Sequence, residues 1–564
     1  MKNFTEIIEK YNIKEITLIV FTILICTFFF GNHSFQILSD RGREFLLAQG
    51  ILEGNVPFKD ILFLYSPLAY YINAIFMFIF GKTVSTLIFA SVLCCIIFAS
   101  IYFYLAKKFM GESLSFATTL LVVLGCMTTC SLFGYILPYS YSMTYALTAS
   151  LVAIFTMVLF FEKKYTKLLY ISNLFAGFAF ALKFEFLPIL LICTGFTFFQ
   201  NELKPKNKIS ALLLTVLMPI MTFLIPVLQG ASLNNLKEFI AFLTDFSKTE
   251  SMNYFLKDVG TIFKPSALPI YINGIIGFVI TLFLSVLANI LNSKHRKKFI
   301  LPIFFALIFL IMFIFTEPYN QTSLLPLIVL SLFIIKFKEV KNNPCELIII
   351  LASIFTSIRT FALMRMNMYG TYTLPLLIIS LYILLNKFTL DGKVFKSVEI
   401  KSLFKFMTWL YLVFFTVMNI ISCNYCNTKL ISEKGDICLP KEQAVVLNEA
   451  INFIKTETSD NEKVLVLPEG QIINFLTDRR CDLKLHMLDR LYYEGLGEEK
   501  ALQLLKNSDN DTIVIVKGFN LSNFGKIDLM EENNAITRFL TENYKLTKTF
   551  GEENHKIFIL NKQR

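Results

Sequence analysis

The sequence predicts a polytopic α-helical membrane protein of about thirteen spans with an extracytoplasmic α/β domain at its C-terminus. Three observations predict it. Apolar runs of span length fill residues 1–423, alternate loops between them carry the basic residues, and beyond 424 the apolar runs shrink to strand length. Only 17% of the 564 residues are charged and 55% are hydrophobic. Soluble domains average about 25% charged, so the bilayer is the solvent for most of this chain. The 60 Phe beside a single Trp fit an AT-rich coding bias, so Phe abundance does not itself mark an aromatic site.

The candidate spans are 16–36, 83–106, 114–134, 140–161, 167–182, 186–200, 209–229, 268–291, 299–316, 322–337, 345–358, 373–386 and 403–422. Several are short for a bilayer, which leaves the count open by about two. The alternate loops "KK" (107–108), "EKKYTK" (162–167), "NELKPKNK" (201–208), "NSKHRKK" (292–298), "KFKEVKNN" (336–343) and "NKFTLDGKVFKSVEIK" (386–401) all carry excess Lys or Arg. The positive-inside rule puts them in the cytoplasm, with the N-terminus inside and the C-terminus outside. No small-residue cleavage site follows the first apolar run, which reads as an uncleaved span of the plasma membrane. The net charge of +11 resides in these short loops, which argues against nucleic acid as a partner. There is no internal repeat, no GxxxxGK[ST] loop and no GxGxxG fingerprint.

The first outer loop, 37–82, contains two helical patterns. "REFLLAQGILEG" closes at Gly54 and "SPLAYYINAIFMFIFG" runs from a helix-start proline to Gly81, so both are expected as amphipathic helices lying in the outer interface. In the 424–564 domain, strands are expected at "KVLVLP" (463–468), "TIVIVKG" (512–518) and "KIFIL" (556–560). Helical patterns such as "KEQAVVLNEAINFIKTE" and "GEEKALQLLKNS" alternate with them. The 11 cysteines are scattered. Cys423, Cys426, Cys438 and Cys481 fall on the outer side, where disulfides form, and sequence does not pair them.

The candidate chemistry lies in the outer loops. Asp40 and Glu44 are four apart and share a helix face, where mutual repulsion raises one pKa and Arg41 and Arg43 offset it. A carboxylate held there by guanidinium groups can take a proton from an incoming hydroxyl. An aspartate before "RGREF" is equally a favoured N-cap. "FALKFEFLP" sets Lys183 and Glu185 in a short polar break between apolar runs, as a mutual pair or as the lining of a cavity. Arg359 and Arg365 flank "TFALM" near Tyr369 and Tyr372, either snorkelling or binding, in outer loops otherwise poor in arginine. Glu317 and Tyr319 occupy a third short outer loop. Carboxylates and cations around one outer-face cavity suit a substrate with a lipid tail and a phosphate head, the cations binding the phosphate as it leaves. A divalent metal stays open, with Glu44, Asp60 and Glu317 as its oxygen donors and no His-rich spacing to support it.

"SDRGREFLLAQGILEGNVPFKDILFLYSPLAYY" resembles the first outer loop of GT-C glycosyltransferases, which include protein O-mannosyltransferases and lipid A aminoarabinose transferases. Bacterial relatives carry D-x-G-x-E, then E-G-x-x-P-[YF]-x-D, then Y-x-P. Here these are Asp40-Gly42-Glu44, Glu53-Gly54-Pro57-Phe58-Asp60 and Tyr65-Pro67. "GFAFALKFEF", "RMNMYGTYTLPLLIIS" and "VLVLPEGQIINFLTDRR" resemble later segments of the same family. The resemblance implies transfer of a sugar from a polyprenyl-phosphate donor to a hydroxyl, with inversion, outside the membrane. It implies Asp40 as the general base and Lys183 as a phosphate contact. Where some members have a second acid beside the first, this chain has Arg41, and Glu44 is the next acidic residue. The substrate-binding set expected here is Arg43, Glu44, Asp60, Tyr65, Lys183, Glu185, Glu317, Tyr319, Arg359 and Tyr369, with Arg359 chosen from topology. The acceptor stays open among a cell-envelope glycan, a lipid and a protein. A flippase of lipid-linked sugars is the alternative, and a non-catalytic anchor for the outer domain is a third reading.

Overall fold

Long runs of side chains without a polar stripe are stable only as helices whose backbone bonds are satisfied internally, and the membrane part of the chain is built this way. The structure, a computed structural model, describes residues 12–259, 265–294, 318–361, 364–366, 368–388, 393–395, 398–519, 535–552 and 554–563. In chain order the helices are α1 (Ile13–Phe30), α2 (Arg41–Leu52), α3 (Leu68–Phe80), α4 (Val84–Met110), α5 (Glu112–Val122), α6 (Tyr141–Lys163), α7 (Thr166–Leu182) and α8 (Leu187–Phe198). There follow α9 (Pro205–Leu228), α10 (Leu233–Ser247), α11 (Glu250–Val259), α12 (Leu268–Lys294), α13 (Leu325–Val340), α14 (Pro344–Thr356) and α15 (Gly370–Asn386). After a small hairpin of β1 (Lys393–Phe395) and β2 (Val398–Glu399) comes α16 (Ile400–Tyr425). Each candidate span has its helix except 299–316, which lies outside the described residues. Among the described residues six helices, α1, α4, α6, α9, α12 and α16, are long and apolar enough to cross a membrane. Prolines start α8, α9, α13 and α14 where a missing N–H costs nothing.

The core of the bundle is α6, buried along nearly its whole length, while α1 and α9 turn large apolar side chains such as Phe28 and Leu213 outward. The basic loops gather at one end. Lys107 bonds Asn12 and Glu112, Lys108 pairs with Glu162, Lys164 lies 3.1 Å from Glu202, and Lys387 lies 3.0 Å from Glu346. The loops that carry the candidate chemistry collect at the opposite end, against the C-terminal domain.

That domain starts with β3 (Thr428–Leu430) and β4 (Ile437–Leu439), an antiparallel pair, followed by α17 (Lys441–Glu457). It continues with β5 (Val464–Leu467), α18 (Gln471–Thr477), α19 (Arg490–Leu496), α20 (Glu498–Asn507), β6 (Thr512–Gly518), α21 (Ala535–Asn543), β7 (Tyr544–Phe550) and β8 (His555–Lys562). The sheet order is β5-β6-β8-β7, with β5 and β6 parallel and the other pairings antiparallel. Both faces of β5 and β6 are covered. Val464, Val466, Val514 and Val516 pack with the apolar face of α17, while Leu465, Leu467, Ile513 and Ile515 pack with α20 and α21. The strand β7 carries no apolar run to announce it, because Lys545 to Thr549 are exposed.

Two expectations about the first loop change. The first span ends at Phe30 rather than at 36, because the chain leaves the helix to bond β4: Ser34 N–H donates to the Cys438 carbonyl at 2.9 Å, and Cys438 N–H to the Asn32 carbonyl at 2.9 Å. Nor does α2 lie in the interface. Every residue from Arg41 to Gly50 is buried, because the C-terminal domain docks on the helix. The rings of Phe45 and Phe475 lie 5.0 Å apart, and Gln49 Nε2 donates to Asp478 at 2.8 Å. Only α3 keeps an apolar face outward, through Ile75, Phe78 and Ile79.

Gly42 is the point of closest approach. A Cβ there would lie 2.2 Å from the backbone nitrogen of Ile472. Gly42→Val is expected to destabilise the protein by at least about 1–3 kcal/mol and to expose the junction near residue 424 to protease. Thermal unfolding and limited proteolysis in detergent check both effects.

Candidate active site

Asp40 occupies the N-cap position of α2 without capping it. Its φ is +45°, an unusual conformation for a side-chain-bearing residue, and its carboxylate bonds none of the helix N–H groups. Instead it accepts from Arg43 Nη1 at 2.7 Å, and 31% of its side chain stays exposed. The N-cap reading therefore fails, and Asp40 is an oriented carboxylate open to a ligand.

Arg43 is 1% exposed. Its Nη2 lies 3.7 Å from Glu44 Oε1, and its guanidinium sits 4.8 Å from the centre of the Tyr65 ring. Glu44 is wholly buried and its other oxygen accepts the N–H of Tyr141, the first residue of α6, at 3.2 Å. The positive end of α6 favours the anion. Burial nevertheless pushes the Glu44 carboxyl up to about 7, with the Arg43 charge pulling it back down. Arg41 does not join this group. It bonds the Ser34 hydroxyl and the Ser131 carbonyl, so it anchors the chain rather than offsetting Asp40.

Lys183 follows the last residue of α7 in extended conformation. Its ammonium donates to the Tyr139 hydroxyl at 2.6 Å and lies 4.7 Å from the centre of the Tyr65 ring. Tyr65 is thus shared by Arg43 and Lys183 and joins the first loop to the break after α7. Glu185 is not primarily the partner of Lys183, from which it lies 3.8 Å away. It bonds Arg359 closely, and that guanidinium stacks 3.7 Å from the centre of the Tyr369 ring. Asp40, Arg43, Glu44, Tyr65, Lys183, Glu185, Arg359 and Tyr369 therefore converge. Tyr139, which packs its ring 5.8 Å from that of Tyr369, belongs with them. Sequence reasoning missed it, since "PYSYS" gives only a loop with aromatics before a span.

Three expected residues fall elsewhere. Asp60 accepts the Val56 N–H at 2.9 Å and so closes its own turn. It lines a separate polar cavity of about 500 Å³ with Glu53, Arg480 and Lys484 where α2 meets the C-terminal domain. Tyr319 packs on Phe414, ring centres 5.9 Å apart. Glu317 lies outside the described residues. Among the described residues no three His, Cys, Asp or Glu side chains are grouped to hold a metal, and Glu44 and Asp60 are each committed to a backbone N–H. Arg365 points its guanidinium at the Met368 sulfur. The eleven cysteines are free thiols, and Cys423 Sγ lies 3.1 Å from His33 Nε2.

No protein-family model and no curated protein matches the chain. Among solved structures, ArnT from Cupriavidus metallidurans bound to undecaprenyl phosphate aligns over 96% of this chain and 97% of that one, with a TM-score of 0.51 at 10% identity. The apo state of the same protein aligns over the same shares with a TM-score of 0.45 at 12% identity. The chain has an ArnT-like fold.

Proposed function

We propose that the chain is a membrane glycosyltransferase that moves a sugar from a polyprenyl-phosphate donor to an acceptor hydroxyl on the extracytoplasmic face, with inversion. The observation that carries the reading is the Tyr65 ring shared by Arg43, which holds Asp40, and Lys183. It sets a candidate base and a candidate phosphate-binding cation around one space. Undecaprenyl phosphate bound to the similarly folded ArnT supports the donor class. Collection of the basic loops at the opposite end supports a site on the outer side.

In the reaction the acceptor oxygen attacks the anomeric carbon from the side opposite the phosphate. Asp40 takes the hydroxyl proton as the new C–O bond forms. The anomeric C–O bond to phosphate breaks, and the lipid phosphate departs with the bonding pair. Lys183 and Arg359 meet its growing charge, where fixed cations in a dry site act most strongly. Glu44 holds Arg43, and Arg43 holds Asp40. The donor's lipid tail stays in the membrane beside the exposed apolar face of α3.

Asp40→Asn should lower transfer about 10²–10⁴-fold while undecaprenyl phosphate still binds, as consumption of radiolabelled lipid-sugar by purified protein will show. A flippase would consume no donor in the wild type. Lys183→Ala should weaken lipid-phosphate binding at least about tenfold, read by titration with undecaprenyl phosphate. Glu44 carries a pH signature. Its folded pKa lies above the ordinary 4.5, so its neutral form stabilises the fold at low pH and that contribution is lost as pH rises to about 7. Glu44→Gln should flatten the fall in stability between those values, worth at most about 3 kcal/mol, in unfolding measured across that range.

A further inference from the structure

Two loops of the C-terminal domain also face Arg43, and the reaction above leaves them unused. One follows β5 and carries Glu469; the other precedes α19 and carries His486 and Asp489. They are tied together by Leu488 N–H on the Pro468 carbonyl at 2.9 Å and by Gln471 Nε2 on the His486 carbonyl at 2.6 Å. Asp489 caps α19 by accepting the Tyr492 N–H at 2.8 Å. Glu469 bonds Ser39, and both Asp40 and Arg43 are among its charged neighbours. Tyr492 has Arg43, Asp489 and Asp40 as its neighbours.

This wall is buried yet incompletely bonded. His486 is 1% exposed, and its Nδ1 lies 2.8 Å from the Leu483 carbonyl. A carbonyl only accepts, so Nδ1 carries the proton and Nε2 is a bare acceptor. That Nε2 has no hydrogen-bond partner. The hydroxyls of Tyr70 and Tyr492 both turn to Arg43, which is their nearest polar partner, and Arg43 Nη2 itself has no well-aligned acceptor. A buried polar atom left without a good hydrogen bond is costly, and native proteins rarely keep such atoms together. A ligand with hydroxyl groups, each both donor and acceptor, satisfies such a mixed set.

The wall is also close to neutral. Burial holds His486 uncharged, its pKa lowered to about 4. Burial raises Glu469 well above the ordinary range, with Asp489 and Asp40 adding to it, and raises Asp489 to about 6, with Asp40 adding to it. Glu469 and Asp489 are close neighbours, and burial disfavours charging both. By contrast, Lys183 and Arg359 lie on the part of the site reached through Tyr65. Inversion requires the acceptor to enter opposite the departing phosphate, and this wall, next to Asp40, has Arg43 but neither Lys183 nor Arg359 among its main charged neighbours.

We propose that the C-terminal domain forms the acceptor subsite, with Glu469, His486, Asp489 and Tyr492 binding the hydroxyls of a neutral saccharide and presenting one of them to Asp40. The proposal rests on the glycosyltransferase reading and narrows its acceptor from glycan, lipid or protein to glycan.

The test uses the full chain in lipid nanodiscs on an array of neutral and acidic glycans. Capture by neutral glycans is expected, weakened at least tenfold in Glu469→Gln and in Tyr492→Phe, which removes only a hydroxyl. Undecaprenyl phosphate binding within twofold of wild type shows that each variant is folded. Capture by no glycan or by acidic glycans alone overturns the proposal, as does neutral-glycan capture unchanged in both variants. Wild-type consumption of labelled lipid-sugar is measured alongside. Its absence sinks the glycosyltransferase reading itself, whereas its presence with no glycan capture sinks only the subsite.

Discussion

A guanidinium almost without water needs acidic groups beside it, and Arg43 has two. Taking an ion out of water costs several kcal/mol even after relaxation, and that cost is recovered only with close, well-oriented counter-charges. Asp40 and Glu44 flank Arg43 in sequence and in space, at 2.7 and 3.7 Å. The consequence runs outward. Because Arg43 is fixed, the carboxylate of Asp40 is aimed without serving its helix. Because Arg43 and Lys183 meet the same Tyr65 ring, the break after α7 is drawn to the first loop. Remove the guanidinium and two buried or half-buried acids are left facing each other.

The spacing of the first-loop motif follows from three separate demands on three residues. Asp40 must sit ahead of the helix, where one side of its carboxylate stays open. Gly42 must lack a side chain, because the backbone of α18 passes within a bond length or two of where a Cβ would be. Glu44 must fall one turn on from Asp40, so that Arg43 is held from both sides and the N-terminus of α6 is met. A helix that looks half-exposed by its charges is thus buried at almost every position, and its charges serve neighbours rather than solvent.

This explains what the sequence made legible and what it hid. Loop charge identified the two ends of the bundle, since Lys107, Lys164 and Lys387 lie in short loops whose register follows directly from the apolar runs. The strands at 464–467 and 512–518 were legible because both faces are buried and the residues run apolar without interruption. β7 was not, because an exposed edge strand such as "YKLTKTF" need carry no apolar period. The burial of α2 was hidden for another reason. Its cover comes from Gln471 to Asp478, more than four hundred residues later, and no local pattern encodes that contact. The same distance hid the exchange of partners by which Glu185 leaves Lys183 for Arg359.

That exchange decides the electrostatics of the site. If Lys183 and Glu185 simply neutralised each other, the break after α7 would be a closed ion pair with little to offer an anion. With Glu185 bonded to Arg359, the bond Lys183 makes is to a neutral phenol, and its nearest carboxylate is both 3.8 Å away and already shared. Glu44 titrates near neutrality rather than standing as a full negative charge. Arg43, Lys183 and Arg359 therefore surround few committed anions, and burial with the two guanidinium groups pushes the Lys183 pKa well below its ordinary value. Such an imbalance is costly to keep empty and is relieved by a ligand that brings its own negative charge. In the proposed reaction, a phosphate on a membrane-embedded tail would deliver that charge from the lipid side without crossing water. The basic groups would then be satisfied, and the exposed oxygen of Asp40 would be left for the proton of the second substrate.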